Sequence, residues 1–288
     1  MEEKIKTDEQ KKSENSRVYV LFYSFFLIPF MIAVFGAVFF LLFKFVTYET
    51  NDVEELLNQV KIGSASKRWQ SAFELAKVLN NPDRDPLSDS FKDQLFSAYE
   101  RSIHDDALVR SYLAMAMGAT QDTIFGKALL NGLKDESMET RIAAIQALGM
   151  IQYPPAVNSI STLIKTADSE SERLSATISL GMIGDISAVP FLIKLLEDEQ
   201  ANIRWDAAIA LAKMGNSEGA YIIEGLLDRE YLNKFSEIDP VEQKRVLMIA
   251  IKTASILFDK RIFSAIESSA SEIRTLGMFF LNFLICPF

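Results

Sequence analysis

Few side chains in this 288-residue chain could support catalysis or metal binding. It contains one histidine, His104, and one cysteine, Cys286, which lie near opposite ends of the region after residue 62. This supply is too small for a zinc site of the usual nitrogen and sulfur type or for an internal disulfide. A Ser-His-Asp or Cys-His pair would need His104 or Cys286, which lie far apart in the sequence. We therefore predict that the chain is not an enzyme, and we assign it no catalytic, cofactor-binding or metal-binding residues.

Closely spaced carboxylates are the remaining candidates for chemistry. Three such pairs occur, Asp83 with Asp85, Asp105 with Asp106, and Glu170 with Glu172. All lie in polar stretches between predicted helices, where acidic side chains commonly cap helix N-termini. General acid–base catalysis would require these groups to share a cleft that shifts their pKa values, and the sequence does not indicate such a cleft.

The elements that would position any site form a repeat. An arginine-led pattern begins at Arg110, Arg141, Arg173 and Arg204, at spacings of 31, 32 and 31 residues. Weaker copies begin at Arg68, Arg245 and Arg274. In the copy at residues 173–198, two short amphipathic segments flank a Gly-Asp turn. A fixed period in this range, with helix-turn-helix content, is typical of an α-solenoid.

Small residues recur inside each copy. Eight positions after the arginine stand Gly118, Gly149, Gly181 and Ala212, each preceded by a large apolar residue. The glycines occur singly at helical spacing and form neither a phosphate loop nor a dinucleotide fingerprint. Because these offsets fall on one helix face, we expect close approach of helices from adjacent repeats.

An aspartate precedes most of these arginines by five or six residues, as in Asp105–Arg110, Asp135–Arg141, Asp168–Arg173 and Asp198–Arg204. With this pattern residues 62–288 resemble HEAT repeats of the short bacterial type, often named after the phycobilisome-lyase proteins. The resemblance implies that the Asp and Arg side chains form a ladder between successive repeats. The predicted fold is all-α, a right-handed α-solenoid of about six to seven HEAT-like helical pairs preceded by one transmembrane helix.

The predicted transmembrane helix is residues 18–43, which carry no formal charge. As a helix they would be about 39 Å long, enough to cross a hydrocarbon core of about 30 Å. A cleaved signal peptide is the competing interpretation, but the run is long and no small-residue cleavage site follows it. A buried core helix is the other alternative. Residues 1–17 are polar throughout, and we predict a disordered tail.

The distribution of basic residues predicts the orientation. Five Lys or Arg residues precede the span, whereas Lys44 is the only one in the first sixteen residues after it. The positive-inside rule then places the N-terminus in the cytoplasm and the repeats on the non-cytoplasmic side, periplasmic or extracellular.

Three other segments depart from the repeat. Residues 44–61 are predicted to be a juxtamembrane helix or linker, opened by Asp52 as a helix cap. The stretches 80–86 and 228–244 interrupt the period, either as parts of a binding face or as variable connections. Residues 276–288 are apolar nearly throughout. We expect them to pack over the last repeat, with contact to a membrane or to a partner as the alternatives.

Charge limits the possible partners. The formal net charge is −9, which disfavours nonspecific nucleic-acid binding and would favour a basic protein surface. The predicted function is a membrane-anchored scaffold or adaptor that binds another protein through its solenoid surface. One alternative is a structural subunit of a larger membrane complex, held mainly by its transmembrane helix. The other is an enzyme similar to the HEAT-type phycobilin lyases, for which fold similarity alone is weak support.

Overall fold

A computed structural model of the chain describes residues 23–46, 52–167, 169–232, 234–235 and 239–257. The chain divides into two compact units, Met1–Thr50 and Asn51–Phe288. All regular secondary structure in the described residues is helical, as the sequence predicts.

The first unit contains one long helix. A π-helical turn, Tyr23–Leu27, leads into α1, Ile28–Val46. Within it, Phe25–Phe43 has a mean hydropathy of 2.7, and this stretch is long and apolar enough to cross a membrane. Its apolar side chains are exposed, with Phe39 at 71%. The predicted span at 18–43 therefore coincides with a helix from Tyr23 onward, and residues 18–22 lie outside the described part.

The second unit contains thirteen further α-helices in its described residues. They are α2 (Val53–Ile62), α3 (Ala65–Leu79), α4 (Asp89–Arg101), α5 (Ala107–Ala119), α6 (Gly126–Gly132), α7 (Met138–Met150), α8 (Val157–Thr166), α9 (Glu170–Ile183), α10 (Val189–Leu195), α11 (Ala201–Lys213), α12 (Ala220–Leu226), α13 (Arg229–Leu232) and α14 (Pro240–Leu257). Short 3-10 turns precede α5, α6, α8 and α10.

These helices pair and stack. α3, α5, α7, α9, α11 and α14 carry the repeated arginines and pack side by side in one row, called here the arginine row. α2, α4, α6, α8, α10 and α12 each pack against the following member of that row. The described residues thus contain six helical pairs, as predicted for an α-solenoid. The copy at Arg274 and the apolar stretch 276–288 lie outside the described residues.

Local sequence explains where these helices begin and end. Serine or aspartate stands before several of them, and its side chain accepts a bond from a free backbone N–H of the first turn. Ser137 accepts from Thr140 N at 3.3 Å, and Asp106 accepts from Leu108 N at 2.9 Å. At the end of α9, Gly184 adopts φ 67°, a left-handed conformation that glycine reaches without a steric penalty.

The arginine row is tightly packed because its contacts use small residues. A Cβ added to Gly118 would lie 2.7 Å from the Cα of Ala147, and one added to Gly149 would lie 3.0 Å from the Cα of Ser179. The first distance is too short unless backbone moves, so this position of α5 favours glycine, whereas the second would require Ser179 to shift by a few tenths of an ångström. The expectation of close approach at the eighth position after each arginine is confirmed.

The linker predicted at residues 44–61 contains α2, which begins after Asp52, whose side chain accepts from Glu54 N at 3.0 Å. Leu56, Leu57 and Val60 of α2 are buried in the core of the second unit. Helix α2 is therefore the first member of the first pair, although the sequence boundary at residue 61 separates it from the repeats.

The two interruptions of the period are both attached to the core. In the first, Arg84 donates to the carbonyls of Leu79 at 2.9 Å and Thr120 at 3.1 Å. In the second, the ring of Phe235 lies 5.1 Å from that of Trp205, which is almost fully buried. The described part of each interruption thus contributes to packing.

Candidate protein-interaction surface

A ladder of ion pairs links successive repeats. Each of four repeat arginines binds an acid that lies one to six residues before the arginine of the next repeat. The pairs are Arg68–Asp105, Arg110–Asp135, Arg141–Glu172 and Arg173–Asp198. Because every pair joins one member of the arginine row to the start of the next, or to the turn just before it, the ladder fixes the register of the stack.

The rung at Arg110 shows how the ladder is built. Its Nε lies 2.6 Å from Asp135 Oδ2, and its Nη1 donates to the carbonyl of Tyr99 at 2.9 Å. The other oxygen of Asp135 accepts from Ser137 N at 3.0 Å, so the carboxylate also orders the turn before α7. The guanidinium carbon stands 4.4 Å from the centre of the Tyr99 ring.

Sequence spacing identified most of the ladder acids. Asp105, Asp135 and Asp198 occupy the positions expected from the pattern. At the next rung Arg141 binds Glu172, through Nε at 2.6 Å and Nη2 at 3.1 Å. This bond raises the pKa of Arg141 above its usual value. The spacing pattern pointed instead to Asp168, which lies outside the described residues.

The charged side chains of the ladder therefore neutralise one another within the fold. Four arginines and four carboxylates are committed to one another at partly or fully buried positions. Neither member of such a pair is available to a ligand without breaking the rung. Functional groups must instead be sought among side chains that the ladder leaves exposed.

The residues considered for catalysis do not assemble into a site in the described region. His104 is exposed at the end of a 3-10 turn, and Cys286 lies outside the described residues. Asp105 and Glu172 are ladder members. No group of three or more His, Cys, Asp or Glu side chains in the described part of the chain is arranged to hold a metal ion.

An open polar groove lies between α2, α3 and α4, with a volume of about 620 Å³. Lys61, Arg68 and Arg101 contribute to its lining, but Lys61 donates to Gln94 at 2.7 Å and Arg68 is a ladder residue. Two of the three cations in the groove therefore already bind other side chains of the protein.

Exposed acids follow the ladder along one edge of the stack. They lie in the turns that enter α5, α7, α9 and α11, and we call them the acidic edge. Its members are Asp106, Glu136, Glu139, Glu170, Glu197 and Glu199. In the sequence of these turns and of the first helical residues, at 105–106, 133–139, 169–172 and 196–200, one cation occurs, the exposed Lys134.

The opposite turns are less charged. Those that leave α5, α7, α9 and α11 contain Asp122, Asp185 and Glu218. Asp122 is paired with Lys92 at 2.8 Å, and this hydrogen bond lowers the pKa of the carboxyl. Hydrogen bonds from Ser187 likewise lower the pKa of Asp185. The two edges of the stack therefore differ in electrostatic character.

Comparison with known proteins supports the repeat architecture. Residues 92–181 and 160–232 match the HEAT-repeat family. No curated protein sequence matches the chain.

Two of the solved structures that are similar to it illustrate the likeness. The complex of CpcE and CpcF of phycocyanin lyase from Nostoc sp. PCC7120 contains a chain that is 17% identical, with a TM-score of 0.53. The alignment covers 78% of this chain and 96% of that one. YibA of Escherichia coli is 16% identical over 75% of this chain and 82% of its own, with a TM-score of 0.46. Together with the helical pairs, the family match shows that this chain is an α-solenoid of HEAT-like repeats.

Proposed function

We propose that this protein is a membrane-anchored, non-enzymatic scaffold that binds another protein through the surface of its repeat unit. The acidic edge is the observation that carries the proposal. Six exposed carboxylates stand in equivalent turns, and the ladder does not use them. Stacked repeats present equivalent positions side by side, so this edge offers an extended negative surface to a partner.

The partner surface that fits this edge is basic. Opposite charges at an interface speed encounter and fix orientation, and both effects weaken as salt rises. The net charge of −9 adds to the attraction at longer range. We therefore propose a basic protein surface as the ligand and assign no nucleic-acid partner.

The anchor in this proposal is the apolar helix of residues 18–43. Its described part has the length and hydropathy of a membrane span, and its side chains are exposed. An anchor of this kind would confine the scaffold to a membrane surface. Counting basic residues, we propose that the repeats lie on the non-cytoplasmic side.

Charge reversal tests the proposal. Proteins that co-purify with the full chain would be quantified for the wild type, for Glu136→Lys with Glu199→Lys, and for Asp83→Lys with Glu218→Lys. The last variant makes the same change in charge away from the acidic edge. We expect the first variant to lose the partner and the control variant to keep it.

Two outcomes would contradict the proposal. If replacing residues 18–43 with an unrelated span abolishes association while the charge variants bind normally, the chain is a structural subunit held by its helix. A stable catalytic activity of the purified chain, or a bound pigment that absorbs visible light, would favour the lyase-like alternative.

A further inference from the structure

Beyond the first turn of each helix, the outward face of the arginine row carries no charged side chain in its central three helices. Its partly or fully exposed side chains come from α5, α7 and α9, and we call them the methionine face. They are Tyr112, Met115, Gln146, Met150, Ile178 and Met182. Ile178 and Met182 retain 39% and 41% of their accessible surface.

The repeat places these residues in register. Met115, Gln146 and Ile178 each stand five positions after a ladder arginine, and Met150 and Met182 stand nine positions after one. Offsets of five and nine fall on one side of an α-helix. Because α5, α7 and α9 pack against one another directly, the six side chains form a band that crosses three helices.

Small residues keep this band smooth and close-packed. Between its members lie Ala119, Ala143 and Ser175, all of them buried or nearly so. On the preceding helix, the ring of Phe73 extends the band by an edge contact with Tyr112, at 5.2 Å. The row helices on either side of the band carry exposed cations, Lys77 on α3 and Lys213 on α11.

Such a surface differs from an ordinary solvated helix face. About a quarter of the chain is charged, yet none of the six side chains is. Contiguous exposed apolar surface in a water-soluble unit commonly marks a binding site. Methionine is common at such sites, since its flexible, polarizable side chain adapts to different partner surfaces.

The neighbouring acidic edge indicates what covers the band. Glu139 stands two residues before Arg141, which puts it on the same side of α7 as Gln146 and Met150. Glu170 lies in the first turn of α9 and is exposed. Carboxylates thus border the apolar band at the N-terminal ends of two of its helices, α7 and α9. A ligand that covers both surfaces needs apolar side chains on one side and cations along one margin.

We infer that the methionine face binds a basic amphipathic helix of a partner protein, with its apolar side on the band and its Lys or Arg residues against the acidic edge. An amphipathic helix laid on an apolar surface is a common mode of recognition. The inference rests on the proposed scaffold function and specifies its ligand. Within the solenoid surface predicted from the sequence, the charge distribution favours the arginine row as the binding face.

A designed helix can serve as the probe. The full chain would be reconstituted in nanodiscs of neutral phosphatidylcholine and titrated into a fluorescent 18-residue Leu/Lys peptide with helical amphipathic spacing. Binding to empty nanodiscs would be subtracted. The same peptide with its order scrambled, and a Leu/Glu version, serve as probe controls.

Two variants locate the binding site. Met150→Lys with Ile178→Lys puts two cations into the band, and Ser159→Lys with Thr162→Lys adds the same charge at exposed positions of α8. We expect binding of the Leu/Lys peptide to wild type to weaken at least tenfold in the first variant and less than threefold in the second. Glu139→Gln should weaken it two- to fivefold and reduce its salt dependence.

Several outcomes would overturn the inference. These are equal binding of the scrambled or Leu/Glu peptide, no binding to wild type, or equal losses in both Lys variants. If binding appears only after residues 276–288 are removed, this chain's own terminus is the occupant. If the chain self-associates and Met150→Lys with Ile178→Lys abolishes this, the occupant is a second copy of the chain.

The scaffold proposal and this inference can fail separately. If the edge variant Glu136→Lys with Glu199→Lys loses its cellular partner while the methionine-face variant keeps it, the scaffold proposal stands and this inference fails.

Discussion

At the scale of single residues, the buried ladder explains why arginine recurs with the repeat. Arg110 retains 8% of its side-chain accessibility and Asp135 retains 13%, so little solvent screens the pair. Breaking such a pair by removing one partner is costly, because the other charge stays buried without compensation.

Replacing Arg110 with methionine should therefore destabilise the repeat unit. We expect a loss of about 3 kcal/mol in the free energy of unfolding, since methionine preserves the aliphatic packing but leaves Asp135 unpaired. Denaturant unfolding of the full chain in detergent, followed by far-UV circular dichroism, would measure it. The matched control is Arg101→Met at an exposed position, which should change stability by less than about 0.5 kcal/mol. Equal effects of the two substitutions would contradict a structural role for the ladder.

Tyr99 makes the stability of the same region depend on pH in the alkaline range. Its hydroxyl is buried and has no hydrogen-bond partner among the described residues, and burial raises its pKa to about 12. In the unfolded chain the phenol ionises near pH 10, so between about pH 10 and 12 the unfolded state releases a proton that the folded state retains. Stability contributed by Tyr99 is therefore full below about pH 10 and declines above it.

The substitution Tyr99→Phe tests this dependence. It removes both the unsatisfied hydroxyl and the titration, so we expect unchanged or slightly higher stability at pH 7 and a smaller loss between pH 9 and 11. Thermal unfolding midpoints across that range would measure the difference. Tyr221→Phe, at an exposed position of α12, is the control and should follow wild type. Parallel pH curves for Tyr99→Phe and wild type would contradict the assignment.

At the scale of elements, helix–helix distance in the arginine row depends on glycine. A methyl group at Gly118 would meet backbone and Cβ atoms of Ala147, at 2.7 and 2.9 Å. Because the nearest of these atoms is backbone, a side-chain rotation of Ala147 cannot relieve the contact. Helix propensity alone favours alanine over glycine by about 1 kcal/mol. Whether Gly118→Ala stabilises or destabilises the unit therefore depends on whether this gain or the steric clash is larger.

We expect Gly118→Ala to destabilise the unit by about 1–3 kcal/mol, because overpacking against backbone exceeds the gain in propensity. Gly36→Ala in α1 is the matched control, since nothing lies within 4 Å of a Cβ at that position. Unfolding of the repeat unit should be unaffected by the control. If Gly118→Ala instead raises the free energy of unfolding, the prediction is wrong, and α5 and α7 can move apart enough to accept the methyl group.

The sequence predicted these elements because the repeat constrains them strongly. The arginine pattern located all six members of the row, and small residues at the eighth position located contacts between them. It could not place α2 in the stack, since that helix carries no ladder arginine and its burial depends on α3. Glu172 was missed because a glutamate next to Arg173 reaches Arg141 only through a longer side chain. The methionine face follows from no single motif, since it depends on which helix faces remain uncovered after folding.

At the scale of the whole molecule, the orientation of the proposed membrane anchor decides on which side of the membrane a partner can reach the proposed binding surface. With a single cysteine the chain has no internal disulfide that would depend on an oxidising compartment, so its cysteine content does not favour either side of a membrane. Orientation must therefore be read from the flanks of the apolar helix. Five basic residues precede it and one follows within sixteen positions, while the acidic residues of the tail contribute little to the rule.

Protease protection of a C-terminal tag would determine this orientation. With the repeats on the non-cytoplasmic side, protease added to cells whose outer barrier has been permeabilised should remove the tag, and in sealed inverted vesicles the tag should stay intact. A second tag at the N-terminus should give the opposite pattern, which controls for leaky vesicles. If the C-terminal tag is cut only in inverted vesicles, the repeats face the cytoplasm. Basic helices that bind the methionine face would then belong to cytoplasmic proteins recruited to the membrane, whereas the predicted orientation requires them on exported or membrane-bound partners.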